Sequence, residues 1–568
     1  MSTGEPTVQN ATPALPWKPT AWVAAIACVI YLIGLTPLWT PGGDSEFFVA
    51  AARSLVRGEG YVFNGGPVRI APPGWPLLLA GVFKLSPTFL AGKIVNIVCL
   101  VGAWTLSHRV LLRLMEPRWA TLAVMLAATL HVSYSLTFWL HSDPLFCLLA
   151  WAAALAAVRL TEDFSRVGSW AVFCITLALL PTVRDAALLQ VGIVLGLLWR
   201  GYATRPRPAV LAAIAAVAIT LLAHSATAAL TAHWAEAVGP GEYIATPALA
   251  ENEAVDLLDN GPNQRPPFVI DRSLRIVQVG HWPAWALWYP LRFAGAFALA
   301  AWIPLLIGTV VLAAVASAKS RDGSRMIWIA TAGYVLLLAF LWPLPNARYL
   351  VPIAPLVIGG VFVGLEHLQP AWTTRMRWLM VASLVAINGP MFVIDAAVQH
   401  RSDYYATYEG GQLASLVAAT EYLNAQAPDD RTVAISERYD NLGAMRFMKT
   451  GSRRAILLLD RELVIVPDVY SFPPGEIPAK SFEDELVLPG GFREWAEKKE
   501  FDWYLYQEPV RPWRLWHFEV PDAVMRLVDK ESAGERTIGW RLWTSQDGFV
   551  RPVELPPAEP RITRVPGL

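Results

Sequence analysis

The chain has 568 residues, of which 55% are hydrophobic and 16% charged, with a mean hydropathy of +0.40; a soluble domain carries roughly a quarter charged residues. That imbalance excludes a wholly soluble globular protein. Basic and acidic residues number 46 each and the pI is about 7.1, so no positive field exists to hold a nucleic acid.

Charge is unevenly placed: of those 92 residues, 48 fall in 398–568 and 44 in 1–397. The chain divides into an apolar body, 1–397, and a water-soluble tail, 398–568. Cys28, Cys99, Cys147 and Cys174 all lie in apolar runs, with no metal-like spacing, and the tail has no cysteine to form a disulfide.

A membrane helix needs about 20 apolar residues, because hydrocarbon leaves no backbone amide or carbonyl unpaired. Eleven candidate spans follow, at 21–39, 88–107, 119–139, 142–159, 167–183, 185–200, 208–232, 287–317, 326–343, 347–366 and 376–397. No small-residue cleavage site ends the first, which reads as a retained helix and not a secretory signal. The break at Pro181–Asp185 divides a run too long for one crossing.

Alternate short loops contain Arg109, Arg113 and Arg118; Arg159 and Arg166; Arg200, Arg205 and Arg207; Lys319, Arg321 and Arg325; and Arg375 and Arg377. Short cytoplasmic loops collect such residues. The N-terminus is therefore expected in the cytoplasm, with the tail and the loops 40–87 and 233–286 outside the cytoplasmic membrane. Trp39, Trp75, Trp139, Trp282, Trp285, Trp288 and Trp342 gather at the outer ends, where tryptophan ordinarily anchors in the interface.

In the first outer loop Gly42-Gly43 breaks the helix and Asp44 and Glu46 follow. Phe47, Phe48, Ala51, Leu55 and Val56 can then form an apolar face, with Arg53 and Arg57 on another, which predicts a helix lying in the interface. Asp44 and Glu46 fit either a helix start or general-base and ion-clamping work. Asp143, after Ser142 at the head of another span, poses the same choice. The loop closes on A-P-P-G-W-P, where Gly74 permits a sharp turn and the chain re-enters with Arg69 and Lys84 near the interface. Arg184 and Arg348 stand at outer span ends: either Arg184 pairs with Asp185 and the side chains snorkel, or both hold a phosphate.

Taken together, G-D-S-E-F-F-V-A-A-A-R-S-L-V-R-G-E-G, A-P-P-G-W-P-L-L-L-A, S-D-P-L-F at 142–146, T-V-R-D at 182–185 and A-R-Y-L-V-P-I-A-P at 347–355 resemble the GT-C membrane glycosyltransferases. That group includes protein O-mannosyltransferases and the aminoarabinose transferase of lipid A. The resemblance covers the membrane body well and the tail loosely. The tail is expected to form an α/β soluble domain; with the eleven apolar runs, the resemblance implies a mainly α, polytopic bundle of about 11 helices. It also implies an inverting transfer from a polyprenyl-phosphate sugar to a glycan, lipid or protein acceptor at the outer face. Asp44 matches the first-loop acid, taken as the base or acceptor-orienting group; Glu46 and Asp143 match further acidic positions, orienting the acceptor or holding a divalent cation. Many relatives place the first two acids side by side, whereas Ser45 intervenes here. Arg69, Lys84, Arg184, Arg348 and Tyr349 would bind the donor phosphate.

In the tail, R-T-V-A-I, A-I-L-L-L-D and F-D-W-Y-L-Y read as strands around a helical run near 410–425, and the Pro-rich end near 550–566 as extended or disordered. A transporter or lipid flippase is the rival class, though neither matched broken helices nor a mid-span acid supports it. A noncatalytic scaffold is the third.

Overall fold

The computed structural model describes residues 17–40, 44–63, 66–68, 71–202, 205–238, 325–341, 347–368 and 370–400, with short pieces of the tail. Along the chain run α1 (Lys18–Ile33), α2 (Asp44–Arg57), β1 (Val62–Phe63), β2 (Gly66–Pro67), α3 (Gly74–Leu85), α4 (Phe89–Leu111), α5 (Pro117–Thr129), α6 (His131–Ser135) and α7 (Asp143–Glu162). Then come α8 (Val167–Val183), α9 (Ala187–Tyr202), α10 (Pro206–Val238), α11 (Arg325–Leu341), a 3-10 turn at Ala347–Ile353, α12 (Ala354–Leu368) and α13 (Pro370–Gln399). Every segment read as a span contains helix except 287–317, which lies outside the described residues.

Among the described residues, five helical stretches are long and apolar enough to cross a membrane: Phe89–Leu111, Asp143–Glu162, Pro206–Trp234, Arg348–Leu365 and Thr373–Ala397. α1, α8 and α9 are shorter but apolar. Val29, Ile175, Leu222 and Val393 project outward from four different helices, a surface that suits lipid and not water. The protein is an integral membrane protein.

α7 is buried along most of its length and packs against α4, α8 and α9. Ala150, Ala153, Ala154, Ala156 and Ala157 leave almost no side chain between the backbones, which lets neighbouring helices approach closely. The span expected at 119–139 is interrupted: Leu130 leaves helical geometry (φ −58°, ψ 137°) and α6 follows. The break is tolerated because the His131 N–H donates to Asn388 Oδ1 of α13 at 2.9 Å, replacing a helix bond. The division between α8 and α9 falls after Val183, where Arg184 leaves helical geometry.

Two expectations for the outer face change. α2 is a helix, but it does not lie half-exposed in the interface: residues 45–54 are buried apart from Phe47, which is partly buried, and Arg53 is enclosed with the rest. α3 packs along it, while Tyr61 and Val68 of the β1–β2 hairpin region and Trp234 of α10 close another side. Burial, with the Arg57 charge alongside, pushes the Arg53 guanidinium down to about 10. Trp39 and Trp75 are core residues, not interfacial anchors; Trp282, Trp285, Trp288 and Trp342 lie outside the described residues.

In the tail, β3 (Val433–Ser436), β4 (Ala455–Leu458) and β5 (Trp503–Gln507) occupy the segments read as strands. Short strands β6 (Arg514–Leu515) and β7 (Phe518–Glu519) pair with each other, and β8 (Trp540–Thr544) completes a four-stranded sheet of order β4-β3-β5-β8. β3 is parallel to β4 and β5, and β8 is antiparallel to β5. Of the 410–425 run, Ala418, Ala419 and Tyr422 are described and helical.

The end of the chain is extended but docked. Ile562 O accepts from Trp39 N at 2.8 Å, Thr563 O from Phe89 N at 3.2 Å, and Val565 N donates to Pro87 O at 3.0 Å. Val565 is buried in the cluster formed by α2 and α3, so this segment fastens the chain on both sides of the first outer loop.

Candidate active site

The segment between α6 and α7 is positioned by four hydrogen bonds with three side chains. Ser45 Oγ of α2 accepts from Leu140 N at 3.1 Å, and Trp75 Nε1 of α3 donates to Leu140 O at 2.9 Å. Asn96 of α4 donates through Nδ2 to Leu136 O at 3.0 Å and Trp139 O at 2.5 Å. Burial makes each of these bonds costly to lose. The segment is thereby fixed to the first outer loop, and Ser45 stands between the two acids of that loop.

α3 can reach this position because of Gly74. The reason is not the sharp turn expected from sequence: a Cβ at residue 74 would stand 2.6 Å from the Thr182 carbonyl at the end of α8, so only glycine permits the approach. Tyr61 OH donates to Ala71 O at 3.0 Å and ties the hairpin to the same corner.

The charges gather on the other side of Leu140. Arg184 Nη1 donates to Asp143 Oδ1, and Arg348 Nη1 donates to His141 Nδ1 at 2.7 Å. The guanidinium carbons lie 4.9 Å (Arg184) and 5.2 Å (Arg348) from the Tyr349 ring centroid, within cation–π range. Trp139 stacks on the His141 ring at 5.5 Å. Because an arginine only donates, His141 Nδ1 is the acceptor in this contact. His141 Nδ1 is 3.8 Å from Asp143 Oδ2, too long for a hydrogen bond. Asp143, Arg184 and Arg348 together carry one net positive charge.

No family model and no curated protein matches the sequence. Among solved structures, the Archaeoglobus fulgidus oligosaccharyltransferase tethered to an acceptor peptide containing the NVT sequon matches 86% of this chain and 69% of its own, at 11% identity and a TM-score of 0.51. Its apo form matches over the same shares at 13% identity and 0.50. The chain has a GT-C fold. ArnT from Cupriavidus metallidurans in the apo state is also similar, at 11% identity over 86% of this chain and 92% of that one, with a TM-score of 0.47.

Within this GT-C fold, the site residues expected from sequence separate into three groups. Asp143, Arg184, Arg348 and Tyr349 come together. Arg184 takes Asp143 as its hydrogen-bonded partner, while Asp185 faces His224 of α10 at 3.8 Å. Asp143 is in the first turn of α7, without a side-chain cap from Ser142, and its carboxylate pairs with Arg184. Glu46 is buried one residue beyond Ser45, and Asp44 opens α2, its side chain outside the described part. Arg69 is outside the described residues. Lys84 is exposed in the last turn of α3.

Among the described residues no group of three or more His, Cys, Asp or Glu could hold a metal ion, and the Asp143 carboxylate is engaged by Arg184. The described donors do not assemble a metal centre. Sequence reasoning missed His141, Ser45 and Asn96. His141 had a signal, since it stands two residues before Asp143 at the same span end. Asn96, a polar residue inside an apolar run, had one too.

Proposed function

We propose that this GT-C chain is a glycosyltransferase that moves a sugar from a polyprenyl-phosphate donor to an acceptor at the outer face of the cytoplasmic membrane. The observation that carries the reading is the convergence of Arg184, Arg348 and Tyr349 at one rim, tied through Leu140 to the start of α2, where Asp44 and Glu46 stand. The topology that goes with it has about 11 spans, the N-terminus in the cytoplasm and an extracytoplasmic α/β tail.

In this reading Asp44 takes the proton of the acceptor hydroxyl, which attacks the anomeric carbon from the face opposite the phosphate. The bond from that carbon to the phosphate oxygen breaks, polyprenyl phosphate leaves with the electron pair, and the configuration inverts. A base in this role contributes about 10²–10⁴-fold. The donor phosphodiester carries one negative charge and the departing monoester gains a second. Fixed guanidinium groups stabilise that growing charge more than the ground state. Asp143 holds Arg184 in place, His141 does the same for Arg348, and Glu46 orients the acceptor. Arg69 adds a further phosphate contact, and a divalent cation would need Asp44 as one of its ligands.

The test is to incubate the purified full chain with a panel of polyprenyl-phosphate sugars, with and without chelator, and follow donor consumption. Consumption of one donor with release of polyprenyl phosphate is expected. Consumption of none, together with protein-dependent lipid movement between leaflets, would establish the flippase instead.

A further inference from the structure

The end of the bundle remote from the candidate active site holds a second cluster of cations that the transfer reaction does not use. Arg109 closes α4, Arg159 is in the last turn of α7, Arg200 is in the last turn of α9, and Arg113 follows α4. Along α7, Arg159 is about 24 Å from Asp143, close to a full hydrocarbon thickness.

Arg109 has Arg113, Arg159 and Glu162 as its charged neighbours and is only 6% exposed. Its guanidinium lies 4.2 Å from the Trp17 ring centroid. Arg113 bonds Glu162 Oε1 through Nε at 2.5 Å and donates to Arg109 O at 2.8 Å, while Arg200 donates to Arg113 O at 3.2 Å. Among the described residues, Arg109, Arg113 and Arg159 therefore gather around the Glu162 carboxylate, and Arg200 joins them through the Arg113 carbonyl. Neither Arg159 nor Arg200 has a carboxylate partner among the described residues. By contrast, Arg118 and Arg166 at the same rim are matched by Glu116 and Asp163.

Helix C-termini favour cations, and that accounts for the carbonyl contacts of Arg113 and Arg200. It does not account for gathering Arg159 and Arg200 here without a carboxylate among the described residues. Depth identifies what completes the set. Trp17, 59% exposed, lies beside the cluster against Arg109, and Trp199, next to Arg200, stacks on Tyr202 at 5.0 Å. Exposed tryptophans of this kind mark the headgroup level. An anion presented at that depth is the phosphate of a lipid, and arginine forks match its oxygens.

We propose that Arg109, Arg113, Arg159 and Arg200 bind the phosphate of one anionic phospholipid headgroup, in the leaflet opposite the candidate active site. The lipid is a bound component of the folded protein and not a substrate.

The experiment places the full chain in nanodiscs of phosphatidylcholine, with or without a minor fraction of phosphatidylglycerol, and measures retained lipid by native mass spectrometry. The wild type is expected to retain phosphatidylglycerol in preference to phosphatidylcholine. Arg159→Gln and Arg200→Gln each weaken retention about fivefold, and the pair about 25-fold, while Arg159→Lys keeps most of it. A parallel arm adds inorganic phosphate to pure phosphatidylcholine discs. Arginine-dependent thermal stabilisation there, with no further effect of phosphatidylglycerol, would keep the anion site but overturn the lipid as its source. Equal retention of both lipids by the wild type, or equal retention by wild type and double variant, overturns the site. Arg159→Gln alone breaks no hydrogen bond or ion pair among the described residues, so it serves if the double variant does not assemble.

Discussion

Removing either partner of the Asp143–Arg184 pair should cost far more than removing both. Asp143 has a side chain only 2% exposed and Arg184 only 13%, so each charge depends on the other for its solvation. Breaking a buried pair by deleting one partner costs about 3–5 kcal/mol, because the survivor is left uncompensated. Asp143→Asn keeps an acceptor for Arg184 and should fall near the lower figure. Arg184→Gln strands a carboxylate whose nearest cationic help is Arg348, and should fall nearer the higher. In Asp143→Asn/Arg184→Gln no charge is stranded, and the cost should drop to about 1–2 kcal/mol, which leaves a coupling of at least about 2 kcal/mol. Equilibrium unfolding in mixed micelles, followed by tryptophan fluorescence, measures all three variants. A double variant whose loss equals the sum of the single losses to within about 0.5 kcal/mol would refute the reasoning.

Three further predictions concern how the site is held. Gly74→Ala sets a Cβ against the Thr182 carbonyl and should destabilise by about 1–3 kcal/mol; a melting temperature equal to wild type would show that α3 and α8 are not packed as described. Ser45→Ala leaves the buried Leu140 N–H without its acceptor, a loss of about 1–3 kcal/mol. Lower donor turnover should accompany it, and Ser45→Thr should restore part of both. Deleting residues 561–568 removes three backbone hydrogen bonds and the buried Val565 side chain, worth a few kcal/mol together. Limited proteolysis should then cut within the first outer loop while the membrane helices stay intact; an unchanged cleavage pattern would count against docking of the chain end.

Features governed by local physics were legible in the sequence. The long helices follow from apolar runs, because hydrocarbon permits little else, and the split after Val183 could be located from Arg184 and Asp185. The strands at 433–436, 455–458 and 503–507 follow from short β-branched and aromatic runs. Features set by distant partners were not. Arg184 stands beside Asp185 in sequence, yet its hydrogen-bonded partner is Asp143, 41 residues away. α2 has the pattern of an interfacial helix, but α3, Trp234 and the chain end cover it, and nothing within residues 44–57 encodes that cover. Gly74 was recognised as a position requiring glycine for the wrong physical reason, since its neighbour is a backbone carbonyl more than a hundred residues away.

The most direct test of the central claim is the rate of polyprenyl-phosphate release from the identified donor by wild type, Asp44→Asn and Arg348→Ala, with folding checked by melting temperature. If the first-loop acid and the rim arginines act on one substrate, Asp44→Asn should slow release about 10²–10⁴-fold and Arg348→Ala about 10²–10³-fold. A folded Asp44→Asn variant that releases polyprenyl phosphate at the wild-type rate would contradict the account.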